Sequence, residues 1–152
     1  MSQDVSFIAD AMKQAVPWVK TTGIDFEEVS STRVVASLPD DEALRNHVGG
    51  PHAAMMFGLG ETASGAVVMA AFAQHMAKAT PLVARADIAY KKLALGALKA
   101  EAVLGRAAED VLAELDSGTR PEFPVTVTIT NAEGVTTGEM VVVWTLKPVR
   151  QG

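Results

Sequence analysis

Glu61 is the residue whose type and surroundings ask most insistently for a chemical explanation. Apart from His, it is the only residue that can carry charge between Arg45 and Lys78. Taking a lone carboxylate out of water costs several kcal/mol unless it is paired or opens on a cavity. Desolvation also raises its pKa, which suits a general base or a nucleophile. The bland alternatives are a carboxylate hydrogen-bonded to a helix end or strand, or one on a solvated helix face. Upstream, Asn46-His47-Val48-Gly49-Gly50-Pro51-His52-Ala53-Ala54 leads into the same apolar run. Gly50 can cap a helix, and Pro51 suits its first turn. A helix N-terminus leaves about four N–H groups unpaired and carries about half a positive charge. The N–H groups of His52 and Ala53 are therefore placed to bind an anion or a developing oxyanion. His52 and Glu61 are nine residues apart. On one helix they fall on opposite sides, about 13 Å apart along the axis. If both serve one reaction, the helix N-terminus must come from one chain and Glu61 from another.

The elements that hold these residues follow from periodicity. Val5, Ile8, Ala9, Met12 and Val16 keep helical spacing, and Pro17 stops that helix. Ile24 and Phe26, then Val34, Ala36 and Leu38, alternate as a hairpin around Ser30-Ser31. After a loop from Asp40 to Gly50, a helix is expected from Pro51 to about Met76. It is apolar nearly all round, which marks a central buried helix. Gly58, Gly60 and Gly65 would let a sheet approach its backbone. Leu82, Ala84, Ala86, Ile88 and Tyr90 share one strand face. Ala100, Ala102 and Leu104, then Val125, Val127 and Ile129, then Met140, Val142, Trp144 and Leu146, define further strands. Asn131-Ala132-Glu133-Gly134 is a turn, and Val111, Leu112 and Leu115 suggest a short helix. The expected class is α+β: one antiparallel sheet wrapped around a long central helix. Such a sheet leaves edges that pairing with a second copy would cover.

Composition narrows the function classes. The 152 residues, 16.0 kDa, suit a single domain over 1–152. Hydrophobic residues are 49% and charged residues 20%, so the chain can fold around a core. With 13 Lys plus Arg against 18 Asp plus Glu, the net charge is −5, which disfavours nucleic acid and anionic membranes as partners. The absence of Cys removes thiolate metal sites and a Cys nucleophile. The acids Glu109, Asp110, Glu114 and Asp116 lack metal-ligand spacing and read as a solvated face, so no metal is expected. The opening Met1-Ser2-Gln3-Asp4 lacks the basic start of a secretory signal. The most apolar stretch, Thr62 to Phe72, covers about 11 residues, against about 20 for a membrane span. A cytoplasmic protein is the expectation.

The residues around Glu61 resemble the hotdog-fold thioesterases, in their phenylacetic-acid-degradation-type branch. That branch carries an Asn, five residues, His-Gly-Gly, and an acid nine residues after the His. Here Asn46 precedes His52 by six positions and Glu61 follows it by nine. The layout of helices and strands from about 5 to 147 agrees as well. The resemblance implies a hotdog fold and hydrolysis of an acyl-CoA or related acyl thioester at the interface of a homodimer or homotetramer, with no cofactor. It would give Ala53 N–H the polarised carbonyl, His52 and Asn46 the shaping of the loop, and the partner chain's Glu61 the activation of water or attack on the carbonyl. Lys91 and Lys92 could meet CoA phosphates, a solvated strand end being the simpler reading. His47, beside Asn46, could assist the substrate, or be a plain loop histidine. Two departures stand out. Ala53-Ala54 replaces Gly-Gly, and Tyr90-Lys91-Lys92 stands where the family often has a Ser or Thr. Both favour the alternative of a non-catalytic hotdog protein that binds an acyl-CoA or other apolar ligand.

Overall fold

The computed structural model describes residues 5–150; Met1-Ser2-Gln3-Asp4 lies outside the described residues. The first apolar helix forms as α1 (Phe7–Ala15) and buries Ile8 and Met12. Pro17 ends it and also starts a second helix, α2 (Pro17–Thr22), which the periodicity does not reveal. A proline lacks only an N–H that the first position of a helix cannot use, so one residue can both break and start. Gly23, at φ 76°, closes α2 in the left-handed region and turns the chain into the sheet.

The strands are β1 (Asp25–Val29), β2 (Arg33–Leu38), β3 (Ala79–Tyr90), β4 (Leu98–Leu104), β5 (Glu122–Asn131) and β6 (Thr136–Pro148). They form one antiparallel sheet in the order β1-β2-β4-β5-β6-β3. The central helix α3 (Ala53–Ala71) packs on its concave face, and α4 (Ala108–Asp116) crosses between β4 and β5. This is the α+β hotdog arrangement. Val34, Ala36 and Leu38 of β2, Ala100 and Ala102 of β4, Val125, Val127 and Ile129 of β5, and Met140, Val142 and Leu146 of β6 are all buried against the helix. The alternation read from the sequence places these side chains correctly, because the period of a strand leaves one choice of face.

The central helix is shorter than expected at both ends. Pro51 lies outside it, in a β-bridge with Arg45, and His52 is its N-cap. At the far end Phe72 leaves helical geometry and enters the core, its ring 5.3 Å from that of Phe123. His75 follows in a short 3₁₀ turn, with its Nδ1 buried and unbonded. Pro81 sits within the edge strand β3, where a missing N–H is tolerated. The helix is also longer as an apolar unit than the 11-residue estimate: its 19 residues have the length and composition of a membrane span, yet 61% of its most apolar 18-residue stretch is buried inside the folded chain.

Two of the three helix glycines work as expected. A Cβ on Gly60 would stand 2.6 Å from the Met140 sulfur, and one on Gly65 3.4 Å from the Trp144 ring, so both admit β6. Gly58 instead admits Trp18 of α2. The other departure concerns β3. A register shift between Val83 and Arg85 breaks its alternation. Leu82, Ala84 and Tyr90 are exposed, and Ala86 and Ile88 only half-buried. β3 pairs with β6 alone, leaving a 12-residue edge.

Candidate active site

The loop before α3 is built around Asn46. Its Oδ1 accepts the N–H groups of Val48 and Gly50 at 3.0 and 3.3 Å, and its Nδ2 donates to the Pro51 carbonyl at 3.4 Å. Its own N–H bonds the Gly50 carbonyl at 2.8 Å. Asn46 therefore shapes the loop directly, and one Nδ2 hydrogen remains for a ligand. Gly50 is fixed by close approach: a Cβ there would stand 2.0 Å from the Ala94 carbonyl oxygen. Only glycine lets this loop seat against the segment that joins β3 to β4.

The helix start then assigns its donors one by one. His52 N–H is not available for an anion, because it bonds the Leu44 carbonyl at 2.9 Å. That corrects the sequence expectation, and the cause is the extended Pro51-His52 segment, which lies beside Leu44 and Arg45 instead of entering the helix. The His52 ring caps the helix: Nδ1 accepts Ala54 N–H at 3.0 Å. Met55 and Met56 N–H both reach the His52 carbonyl, at 2.8 and 3.1 Å. Of the first-turn donors, Ala53 N–H alone has no partner among the described residues. It is exposed at the positive end of a 19-residue helix.

Ala53 lines a cleft of about 390 Å³ together with Asn46, Met56, Tyr90, Lys91 and Lys92. The fold thus brings Asn46, Ala53 and both lysines together, which spacing alone did not show. Tyr90, the only tyrosine, donates its hydroxyl to the Ala53 carbonyl at 3.1 Å and ties the end of β3 to the helix start. The sequence places Tyr90 on a strand face and at a position where the family often has a Ser or Thr, but gives no sign of this bond to the helix start. Lys91 is ion-paired with Glu139 at 3.6 Å, whereas Lys92 has no ion-pair partner among the described residues. His47 is exposed on the loop, outside the cleft lining.

Glu61 stands apart from this cleft, on the third turn of α3. His52 is extended, so the opposite-sides argument does not hold for it. The axial argument does: Ala53 and Glu61 are about 12 Å apart along the helix. The helix is held in rotation by a buried relay one turn further on. Trp144 Nε1 donates to Ser64 Oγ at 3.0 Å, and that hydroxyl donates to the Glu61 carbonyl at 2.7 Å. The Glu61 side chain itself is half-buried, with no hydrogen bond or ion pair among the described residues. Burial without compensation pushes its carboxyl above the ordinary glutamate range.

That shift carries a stability signature. An acid whose pKa rises on folding binds its proton more tightly in the folded chain, so stability falls as pH rises from the unfolded toward the folded value. Glu61→Gln removes this slope. The variant's melting-midpoint advantage is expected to be near zero below about pH 4 and to grow as the pH approaches neutrality. An advantage that stays flat across this range would mean that folding leaves the Glu61 pKa unshifted.

A family profile described as "Domain of unknown function (DUF4442)" matches residues 6–146. No curated protein matches the sequence. Among solved structures, a Pseudomonas aeruginosa protein of unknown function, described as "Probable Thioesterase", superimposes with a TM-score of 0.84 at 20% identity, over 98% of this chain and 99% of its own. A thioesterase family protein from Silicibacter pomeroyi gives 0.78 at 15% identity, over 96% and 100%. A mutant thioesterase, also from Pseudomonas aeruginosa, gives 0.77 at 14% identity, over 98% and 97%. At these identities the likeness is one of fold.

Proposed function

This chain belongs to the DUF4442 family, and from the arrangement of its site we propose that it hydrolyses a thioester, an acyl-CoA being the substrate class, at a site shared by two copies of the chain. One observation carries the reading: among the described residues Ala53 N–H is the single first-turn donor without a partner, and the Glu61 carboxylate, also without one, lies too far along the same helix to meet it. Only a second copy can bring them together. The solved thioesterase structures of the same fold support the reaction class. The spacing of Asn46, His52 and Glu61 supports the phenylacetic-acid-degradation-type branch.

The chemistry follows from the groups. The thioester carbonyl accepts Ala53 N–H, and the helix end stabilises the charge that develops on its oxygen. Glu61 of the second copy takes a proton from water as the water oxygen attacks the carbonyl carbon. Collapse of the tetrahedral intermediate breaks the carbon–sulfur bond, and the proton held by Glu61 passes to the departing sulfur. A free acid and a thiol leave. Asn46 holds the loop and offers its remaining Nδ2 hydrogen, His52 keeps the helix start in place, and Lys92 meets a CoA phosphate at the cleft mouth. Lys91, in the cleft lining, and His47, exposed on the loop beside Asn46, are further candidate substrate contacts. The long free edge of β3 is the surface on which two copies would pair, isologously.

A non-catalytic, ligand-binding reading is favoured by one observation, the exposed Ala53 and Ala54 at the start of α3. Complementation separates the two. Ala53→Pro and Glu61→Gln proteins are each expected to be nearly inactive on acyl-CoA. Mixed in equal amounts and allowed to exchange subunits, half the dimers are hybrids with one intact site, so activity should recover to about one quarter of wild type. No recovery despite exchange, or an active monomer in ultracentrifugation, would overturn the shared site.

A further inference from the structure

Aromatic residues are only 5% of this chain, yet two of them stand partly in solvent beside the turn that carries Glu61. Trp18 is 40% exposed and Phe57 36%. The Trp18 ring comes so close to α3 that a Cβ on Gly58 would stand 2.1 Å from Cη2 and 2.7 Å from Cζ2. Met12 lies along the same flank, 3.9 Å from the Cβ position of Gly65. The segment α1–α2 therefore runs beside α3, with the tryptophan at its end.

At 100° per residue, Ala54, Phe57, Gly58 and Glu61 share one side of α3. Ala54 and Phe57 are exposed and Glu61 half-buried, whereas Ser64 and Val68, further on, are buried. The open side thus starts at the helix N-terminus and ends at Glu61. Phe57 forms one wall and Trp18 the other. The rings do not touch, since the one aromatic contact among the described residues joins Phe72 and Phe123. The two rings thus flank an apolar strip of α3 surface, an open channel that ends at the half-buried carboxylate of Glu61, with no cation contributed by α3.

The carboxylate decides what can fill this channel. A protein surface packed dry over it would strand Glu61 with neither water nor a partner. A flexible hydrocarbon chain would cover the rings and leave the reacting carbonyl and its water at Glu61. We infer that the acyl group of the thioester lies between Trp18 and Phe57 of the protomer that supplies Glu61, that this group is uncharged and apolar, and that the two aromatic walls select it. The inference rests on Glu61 being the reacting carboxylate, and it adds the acyl class and two specificity-determining residues.

The test uses butyryl-, octanoyl- and succinyl-CoA with a free-thiol readout, on wild type, Trp18→Ala, Trp18→Phe, Phe57→Ala and Glu61→Gln. Wild type is expected to favour octanoyl over butyryl in kcat/KM, and butyryl over succinyl by about 10-fold or more, because the terminal carboxylate of succinyl would enter an apolar channel. Trp18→Ala should cut the octanoyl preference by about 10-fold, the scale of a few lost methylene contacts, with Trp18→Phe retaining most of it. If Trp18→Ala does not fold, Phe57→Ala carries the same expectation on a helix surface. An unchanged octanoyl preference in a folded wall variant, with Glu61→Gln inactive, would overturn this inference and leave the proposed reaction standing. Dissociation of the dimer by Trp18→Ala with preference unchanged would make the channel a subunit contact, also overturning it. Full activity of Glu61→Gln would remove the proposed reaction itself.

Discussion

Glu61→Gln should lower acyl-CoA turnover by about 10²–10⁴, the usual contribution of a general base, with ligand affinity little changed. The amide keeps the shape of the side chain and loses the charge. Nothing in the described structure pairs with that charge, so the substitution breaks no protein contact that a loss of turnover could be blamed on. The relay from Trp144 through Ser64 reaches the Glu61 backbone, not its side chain, and survives the change. A carboxylate with only a packing role predicts a different pair of results. Relieving an unpaired, half-buried charge would raise the melting midpoint, and turnover would stay as it was. The midpoint is expected to rise under either role at neutral pH, so turnover is the discriminating measurement. Full turnover together with a raised midpoint would move the protein to the ligand-binding reading.

Ala53→Pro should cost about 10²–10³ in turnover, the typical loss for one oxyanion donor, in a protein that still folds. The structure makes this substitution cleaner than the sequence suggested. Ala53 is the first residue of α3, the position where proline is best tolerated in a helix. His52 before it, at φ −62° and ψ 143°, already holds the extended conformation that a following proline demands. The single N–H removed is the one without a protein partner. Turnover and melting midpoint measured on the same preparation test both halves of the expectation. A folded variant with unchanged turnover would take Ala53 out of the mechanism. A variant with a collapsed midpoint would show that Ala53 N–H stabilises the helix start, contrary to the bonding pattern described above.

Local chemistry settled a good deal of this protein from the sequence alone. Period-two runs in β2, β4, β5 and β6 fixed which side chains enter the core, since a strand offers only two faces. An apolar run interrupted by one acid announced both the buried helix and Glu61. The distance between the helix start and Glu61 followed from helical rise and needed no coordinates.

Tertiary structure decided what depends on partners remote in the chain. Periodicity describes a helix from inside and is silent about where its neighbours cut it short, so neither the Arg45–Pro51 bridge nor the entry of Phe72 into the core was legible. Hydrogen-bond bookkeeping at the helix start was equally hidden. His52 N–H was lost to Leu44 and Ala53 N–H left free because a loop, not the helix, sets their surroundings. Tyr90 and the two lysines joined Asn46 and Ala53 only through the register of β3 on β6 and the seating of Gly50 against Ala94. Gly58 was read as room for the sheet and proved to be room for Trp18, because a glycine records that something comes close without recording what.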